Sequence, residues 1–276
     1  MSQFSALPRL GLLGDSFLYA GHAGGPRVCR HSVTLVCALT AQPLQLLAAG
    51  QRFTGLLMAV RPFTLRHIDA PGQAVGLLDL EPSHGRFSTF TRALAQALGG
   101  PPVQVLDAER HQGLLSCVRG FASGALVGRQ LQAAVQLQLH ALADELPPVP
   151  PLAPRVLAMM SALRLEPALP LAALASSVGV SPAHASRSFV EALGITVRQF
   201  ALALKIQRAA MHFGSDRSLT EVAQLSGFAD SAHLSRVWVR CYGASPSRYL
   251  DALAQPGPGP GRLDHVWRQP VRLVSA

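Results

Sequence analysis

The sequence predicts a mixed fold: an N-terminal β-barrel with attendant helices, then an all-α domain of two helix-turn-helix units joined by a long helix. Three observations lead there. Short apolar runs broken by turn residues fill residues 28–82, a proline run occupies 147–154, and a segment of the C-terminal part is repeated within itself. A chain of 276 residues has room for two domains. The expected division is a first domain over 1–146, a linker over 147–154, a helical domain over 155–253 and a flexible tail over 254–276.

In chain order, the runs VCRHSVTLVCAL, LQLLAAG, FTGLLMAV, FTLRHI and AVGLLDL come first. Gly50, Pro62, Pro71-Gly72 and Pro82 punctuate them, as turns punctuate an antiparallel barrel or sandwich. From Thr89 the pattern becomes helical, with a short RALAQAL segment. A longer one, GALVGRQLQAAVQLQLHALADEL, sets Leu126, Leu131, Val135, Leu139 and Leu142 near one face. That face either covers the barrel or forms a dimer contact. PPVPPLAP then cannot continue a helix and makes an extended connector. PGPGPG at 256–261 ends the compact structure, and Arg262–Ala276 is expected to be loosely held.

The repeat pairs the segment from Leu171 with the segment from Leu219. Ala175 and Gly179 match Ala223 and Gly227. After one extra residue, Ala183, His184, Ser186 and Arg187 match Ala232, His233, Ser235 and Arg236. Phe189, Gly194 and Phe200 match Trp238, Gly243 and Tyr249. Each copy scans as helix, tight turn, helix. The first helices bury Leu171, Leu174, Ala175 and Val178, or Leu219, Val222, Ala223 and Leu225. Gly179 and Gly227 stand where a left-handed residue is needed, and Ser181 and Asp230 are placed to cap the next helix, with Pro182 at its first position.

On a helical wheel the second helices turn Ala185, Phe189 and Ala192, or Leu234, Trp238 and Cys241, inward. Arg187 and Arg236 then point outward beside Ala183 and His184, or Ala232 and His233, with Ser186 and Ser235 at the boundary. An exposed Arg on one amphipathic helix is ordinarily a solvated side chain. Its recurrence at one place in two copies points to double-stranded DNA, where Arg pairs with guanine or clamps a phosphate. The histidines could equally pack at the core edge, and the serines could bond their own helix. Between the copies VRQFALALKIQRAAMHFG scans as one helix ending at Gly214. A connector of about 24 Å could set two recognition helices about one DNA turn apart.

Composition agrees without deciding. The chain holds 24 Lys and Arg against 15 Asp and Glu, which favours an acidic partner. Lys205 is its one lysine, however, and an Arg-rich, Ala-rich composition also follows from a GC-rich gene. Cys29, Cys37, Cys117 and Cys241 are scattered without metal-ligand spacing, so a reduced, cytoplasmic protein is expected. The N-terminus does not read as a signal peptide, and no apolar stretch is long enough to suggest a membrane span.

The C-terminal segment resembles the AraC/XylS family of bacterial regulators over about residues 155–253. KIQRA at 205–209 is similar to the family's R-L-x-x-A segment on the connecting helix, with Lys and Ile substituted. LTEVAQLSGFADSAHLSRVWVRCYGASPSRYL follows the second unit: the A-x-x-x-G-F turn, the D-S-x-x-x-S-R helix and the G-x-S-P-S-x-Y close. The first unit departs at Ala185, where a larger apolar residue is usual. The resemblance implies sequence-specific DNA binding, often as an activator working with RNA polymerase, and no cofactor. It also implies an N-terminal sensing or dimerisation domain, here a cupin-like barrel in which His31 and His67 would face a small-molecule effector. Each of these histidines can equally be a core or surface residue with a satisfied hydrogen bond.

Two other classes compete. A cupin metalloenzyme would need clustered His and Glu ligands such as H-x-H, whereas His67 has only Asp69 beside it and Glu81 and His84 could approach only by folding. No Ser-His-Asp motif, phosphate loop or dinucleotide fingerprint occurs, and Cys29 and Cys117 lack the context of a reactive repair cysteine. A protein-interaction module that had lost DNA binding would not need the exposed Arg in both copies.

Overall fold

The computed structural model describes residues 9–22, 27–96, 102–212, 215–243 and 245–247. The N-terminal part holds β1 (Arg9–Leu12), β2 (Ser16–His22), β3 (Val33–Ala38), β4 (Leu44–Ala48), β5 (Gln51–Gly55), β6 (Leu57–Val60), β7 (Arg66–Asp69) and β8 (Ala74–Leu80). Then come α1 (Phe87–Gln96), β9 (Val103–Val105), α2 (Gln112–Ser123) and α3 (Gly128–Asp144). All strand pairs are antiparallel, in one sheet of order β1-β2-β8-β3-β6-β9 and another of order β5-β4-β7.

The two sheets do not close into a barrel among the described residues. Apolar alternation encodes strands, but closure needs a matched tilt and shear that periodicity does not carry. The arrangement is layered. Leu35 and Leu78 join Leu115, Val118 and Phe121 of α2 in one core. Val36, Val75 and Leu77 join Leu44 and Leu46 of the smaller sheet in another. Strand β3 is therefore buried along its whole length, which fits its apolar run, broken only by Thr34. Gly76 lets α2 approach: a Cβ there would lie 2.2 Å from Cγ1 of Val118.

Several sequence expectations shift. Strands β1 and β2 lie before residue 28, where none was expected, and α2 was not foreseen. Leu131, Val135, Leu139 and Leu142 do face the core along α3, but Leu126 precedes that helix and is half-buried. The proline run is irregular over 147–153, while Pro154 opens the next helix instead of closing the linker. The PGPGPG segment and the tail 254–276 lie outside the described residues.

The C-terminal part is helical: α4 (Pro154–Leu165), α5 (Leu171–Ser177), α6 (Pro182–Leu193), α7 (Val197–Met211), α8 (Leu219–Leu225) and α9 (Ser231–Tyr242). No helix among the described residues is long and apolar enough to cross a membrane.

Candidate nucleic-acid interface

Helices α5 and α6 pack together, as do α8 and α9, and α7 runs between the pairs. The turns follow local chemistry. Gly179 (φ 68°) and Gly227 (φ 80°) adopt the left-handed conformation that glycine takes without strain. The Ser181 side chain accepts from the His184 N–H at 3.3 Å, and Asp230 accepts from the His233 N–H at 2.6 Å. Each bond satisfies one of the four amides a helix start leaves without partners. Capping boxes Thr196/Gln199 and Ser218/Glu221 open α7 and α8.

The buried faces fix which residues point outward. Ala185 and Phe189 are fully buried on α6, and the Phe189 ring meets Phe200 edge-on at 5.4 Å. The third inward residue is Leu193; Ala192, expected there, is only half-buried. On α9, Leu234, Trp238 and Cys241 are buried as the wheel requires. Leu225 of α8 is 52% exposed, against expectation, and Phe228 beyond the turn packs inward.

Ala183, His184 and Arg187 are consequently exposed on α6, with Ser186 half-buried. Ala232 and Arg236 are exposed on α9, with His233 and Ser235 half-buried. The two histidines differ. His184 Nε2 lies 2.8 Å from Nη1 of Arg155, on the first turn of α4, while the His233 ring stands edge-on to Phe228 at 5.4 Å. Arg155 escaped the sequence reading because it precedes the repeat. The connector α7 spans about 22 Å at 1.5 Å per residue. Gly214, its expected end, and Tyr249, the partner of Phe200 in the repeat, lie outside the described residues.

Residues 174–252 match the family model described as a helix-turn-helix domain. Residues 174–252 are an AraC-type helix-turn-helix domain. No curated protein matches the chain. Among solved structures it is similar to an apo ToxT variant from Vibrio cholerae strain SCE256 (TM-score 0.57, 11% identity, 87% of this chain and 98% of that one). It is also similar to ToxT from Vibrio cholerae O395 (TM-score 0.55, 10% identity, 87% and 98%). At such identities the likeness concerns the fold, a sheet-rich N-terminal region followed by a helical domain.

The AraC-type domain is gripped by the N-terminal part at both ends. Thr91 of α1 donates to the Leu193 carbonyl of α6 at 3.5 Å. At the other end the Cys29 N–H donates to the Arg240 carbonyl at 3.2 Å, supplying a partner to the last turn of α9. Between them, Oδ1 of Asp15 accepts from Ser83 Oγ and from Gln207 Nε2 of α7, each at 2.9 Å, and Arg164 of α4 donates to the Ser83 carbonyl.

His31 belongs to this interface. Its Nδ1 lies 3.5 Å from the Cys241 sulfur, and its ring meets Phe63 edge-on at 5.2 Å. Burial, aided by Arg240, lowers its pKa to about 4, so it is neutral near pH 7. His67 is half-buried on β7, opposite Leu47 of β4, in the smaller sheet. The structure thus sets one effector candidate against α9 and the other in a sheet. Among the described residues no three His, Cys, Asp or Glu side chains group as a metal site, Glu81 and His84 included.

Beneath α9 lies a buried charge network the sequence did not reveal. Arg30 pairs with Asp79, which also accepts from Ser32 at 2.9 Å and Thr34 at 2.5 Å. Arg66 donates to Thr34 Oγ1 at 2.6 Å, leaving its Nε and Nη1 without a partner among the described residues. Burial, with Arg30 nearby, lowers the Arg66 pKa to about 9. Burial pushes Glu81 up to about 8, against the opposing pull of Arg30. The Arg30 guanidinium also lies 4.9 Å from the centre of the Tyr242 ring.

Proposed function

We propose that this regulator is an activator that reads two successive major-groove segments, one through Arg187 on α6 and one through Arg236 on α9, under control of a small molecule bound by its N-terminal part. The observation that carries the reading is the recurrence of an exposed Arg at one repeat position, on two helices capped and anchored alike. Ala183 and Ala232 are exposed next to them and leave room for thymine methyls or the backbone. His184, His233, Ser186 and Ser235 complete the surface as phosphate or base-edge contacts. The protein partners implied are RNA polymerase and a second copy of the chain, and the setting is the cytoplasm.

ToxT structures hold an unsaturated fatty acid in one case and (E)-4-(8-methylnaphthalen-1-yl)but-3-enoic acid in another. These favour an organic acid as the effector class here. His31 at the α9 interface is one route by which an occupied N-terminal part would act on the second unit, and His67 lies in the smaller sheet.

The test is selection of bound genomic fragments by the purified full chain at moderate salt. The expected result is a motif of two half-elements about 34 Å, or one helical turn, apart. Affinity should fall steeply with salt, and Arg236→Ala should weaken binding by about 1–3 kcal/mol. Fragments without a common motif, or an Arg236→Ala variant that binds like the parent, would overturn the reading.

A further inference from the structure

Next to the β1–β2 turn a cavity of about 390 Å³ opens between that turn, the segment after β8 and α3. Asp15, His84, Arg86, Gln136 and His140 line it. The volume is at the low end for small-molecule sites, and its polar groups come from three separate stretches of chain.

The hydrogen bonds fix what each group can offer. His84 Nδ1 accepts the Arg86 backbone N–H at 3.1 Å, so its ring proton is on Nε2 and available to a ligand acceptor. Burial holds this imidazole below the usual histidine range, which keeps it neutral near pH 7, although Asp15 pulls the other way. His140 Nδ1 lies 2.6 Å from the Gln136 carbonyl and therefore carries a proton, so in the neutral ring Nε2 is an acceptor. The bonds to Ser83 and Gln207 both fall on Oδ1 of Asp15; Oδ2 accepts none among the described residues. Arg86 adds a cation 4.0 Å from Asp144, a distance too long for a strong pair.

The cavity thus joins donors suited to a carboxylate (Arg86 and His84) to acceptors suited to a hydroxyl or ammonium group (Asp15 and His140). We propose that it binds a small hydroxy acid or amino acid. The inference rests on the effector reading above and narrows it to a short polar acid, since the lining offers no long apolar channel. The site also has a route to the DNA-binding domain. A ligand donor on the open Oδ2 of Asp15 draws charge from the carboxylate whose Oδ1 accepts from Gln207 of α7, the helix that joins the two units. Occupancy then weakens one of the bonds that fix α7 to the N-terminal part.

The experiment measures thermal unfolding of the full chain with about 10 mM L-serine or D-glycerate, with acetate and glycerol as controls that each lack one of the two groups. Serine or glycerate is expected to raise Tm by about 2 °C or more, with the controls giving less. Arg86→Gln and His140→Ala should remove the rise while keeping the parent's circular dichroism spectrum. Gln207→Ala should keep it but abolish any effect of the probe on DNA affinity. No rise with either probe, or a rise kept in both cavity variants, overturns the proposal. A DNA motif recovered without probe binding sinks this inference and leaves the DNA reading intact. Probe binding without a motif does the reverse.

Discussion

Replacing Trp238 by alanine tests how the second helical unit is held. The indole is 2% exposed, in a cluster with Ile206, Ala209 and Ala210 of α7, Val222 and Ala223 of α8, and Phe17 of β2. Its ring centre is 4.5 Å from that of Tyr242, which in turn meets Phe17 edge-on at 6.2 Å. Truncating a buried aromatic of this kind costs about 3–5 kcal/mol, a large part of the roughly 5–15 kcal/mol that holds a typical protein folded. At about 2–4 °C per kcal/mol for a chain of this size, Tm should drop by roughly 10 °C. Circular dichroism during heating reads the drop. Hydrogen exchange should show lost protection in β2 as well as α9, since Tyr242 links the two. A variant melting within about 2 °C of the parent would refute the packing argument.

Other perturbations probe the interface and the core. Glu81 keeps its proton in the folded protein up to about pH 8, whereas in the unfolded chain it ionises near 4.5. Its contribution to stability is complete below about 4.5 and is lost as pH rises through about 8, so Glu81→Gln should flatten the stability–pH profile between those limits; parallel profiles would contradict this. Asp79→Asn strips Arg30 of its carboxylate and should destabilise by about 3–5 kcal/mol in urea unfolding. Gly76→Ala forces a methyl against Val118 and should cost about 1–3 kcal/mol, whereas an unchanged urea midpoint would show that α2 yields freely.

What could be read from sequence was what the chain encodes locally. Gly179, Ser181, Pro182 and Asp230 specify their turns and caps within a few residues, so these caps and turns could be read from the chain itself. The errors on the wheel, Ala192 and Leu225, fall at helix ends, where a neighbouring Leu193 or Phe228 competes for the same buried space. Helix α2 was hidden because Gly113 and Gly120 lower its propensity, and only packing on the sheet overrides that. β9 has three residues, too few to show a period. The Arg30–Asp79 network, the grip of Cys29 on Arg240 and the Arg155–His184 contact join residues far apart in sequence. No periodicity announces such contacts, and so His31 could be proposed for a pocket while its actual neighbour, Cys241, is 210 positions away.

The N-terminal part holds α6 through Thr91 and α9 through Cys29, with Asp15 on α7 between them. If α6 and α9 both read the duplex, as proposed, such a molecule works as a caliper set at one gap. On a duplex, a single base pair added between two half-elements swings the second about a tenth of a turn around the axis as well as moving it along. To follow it, the protein would have to break the contacts that brace its own helices. Its target sites are therefore expected to drift in their letters while keeping one spacing.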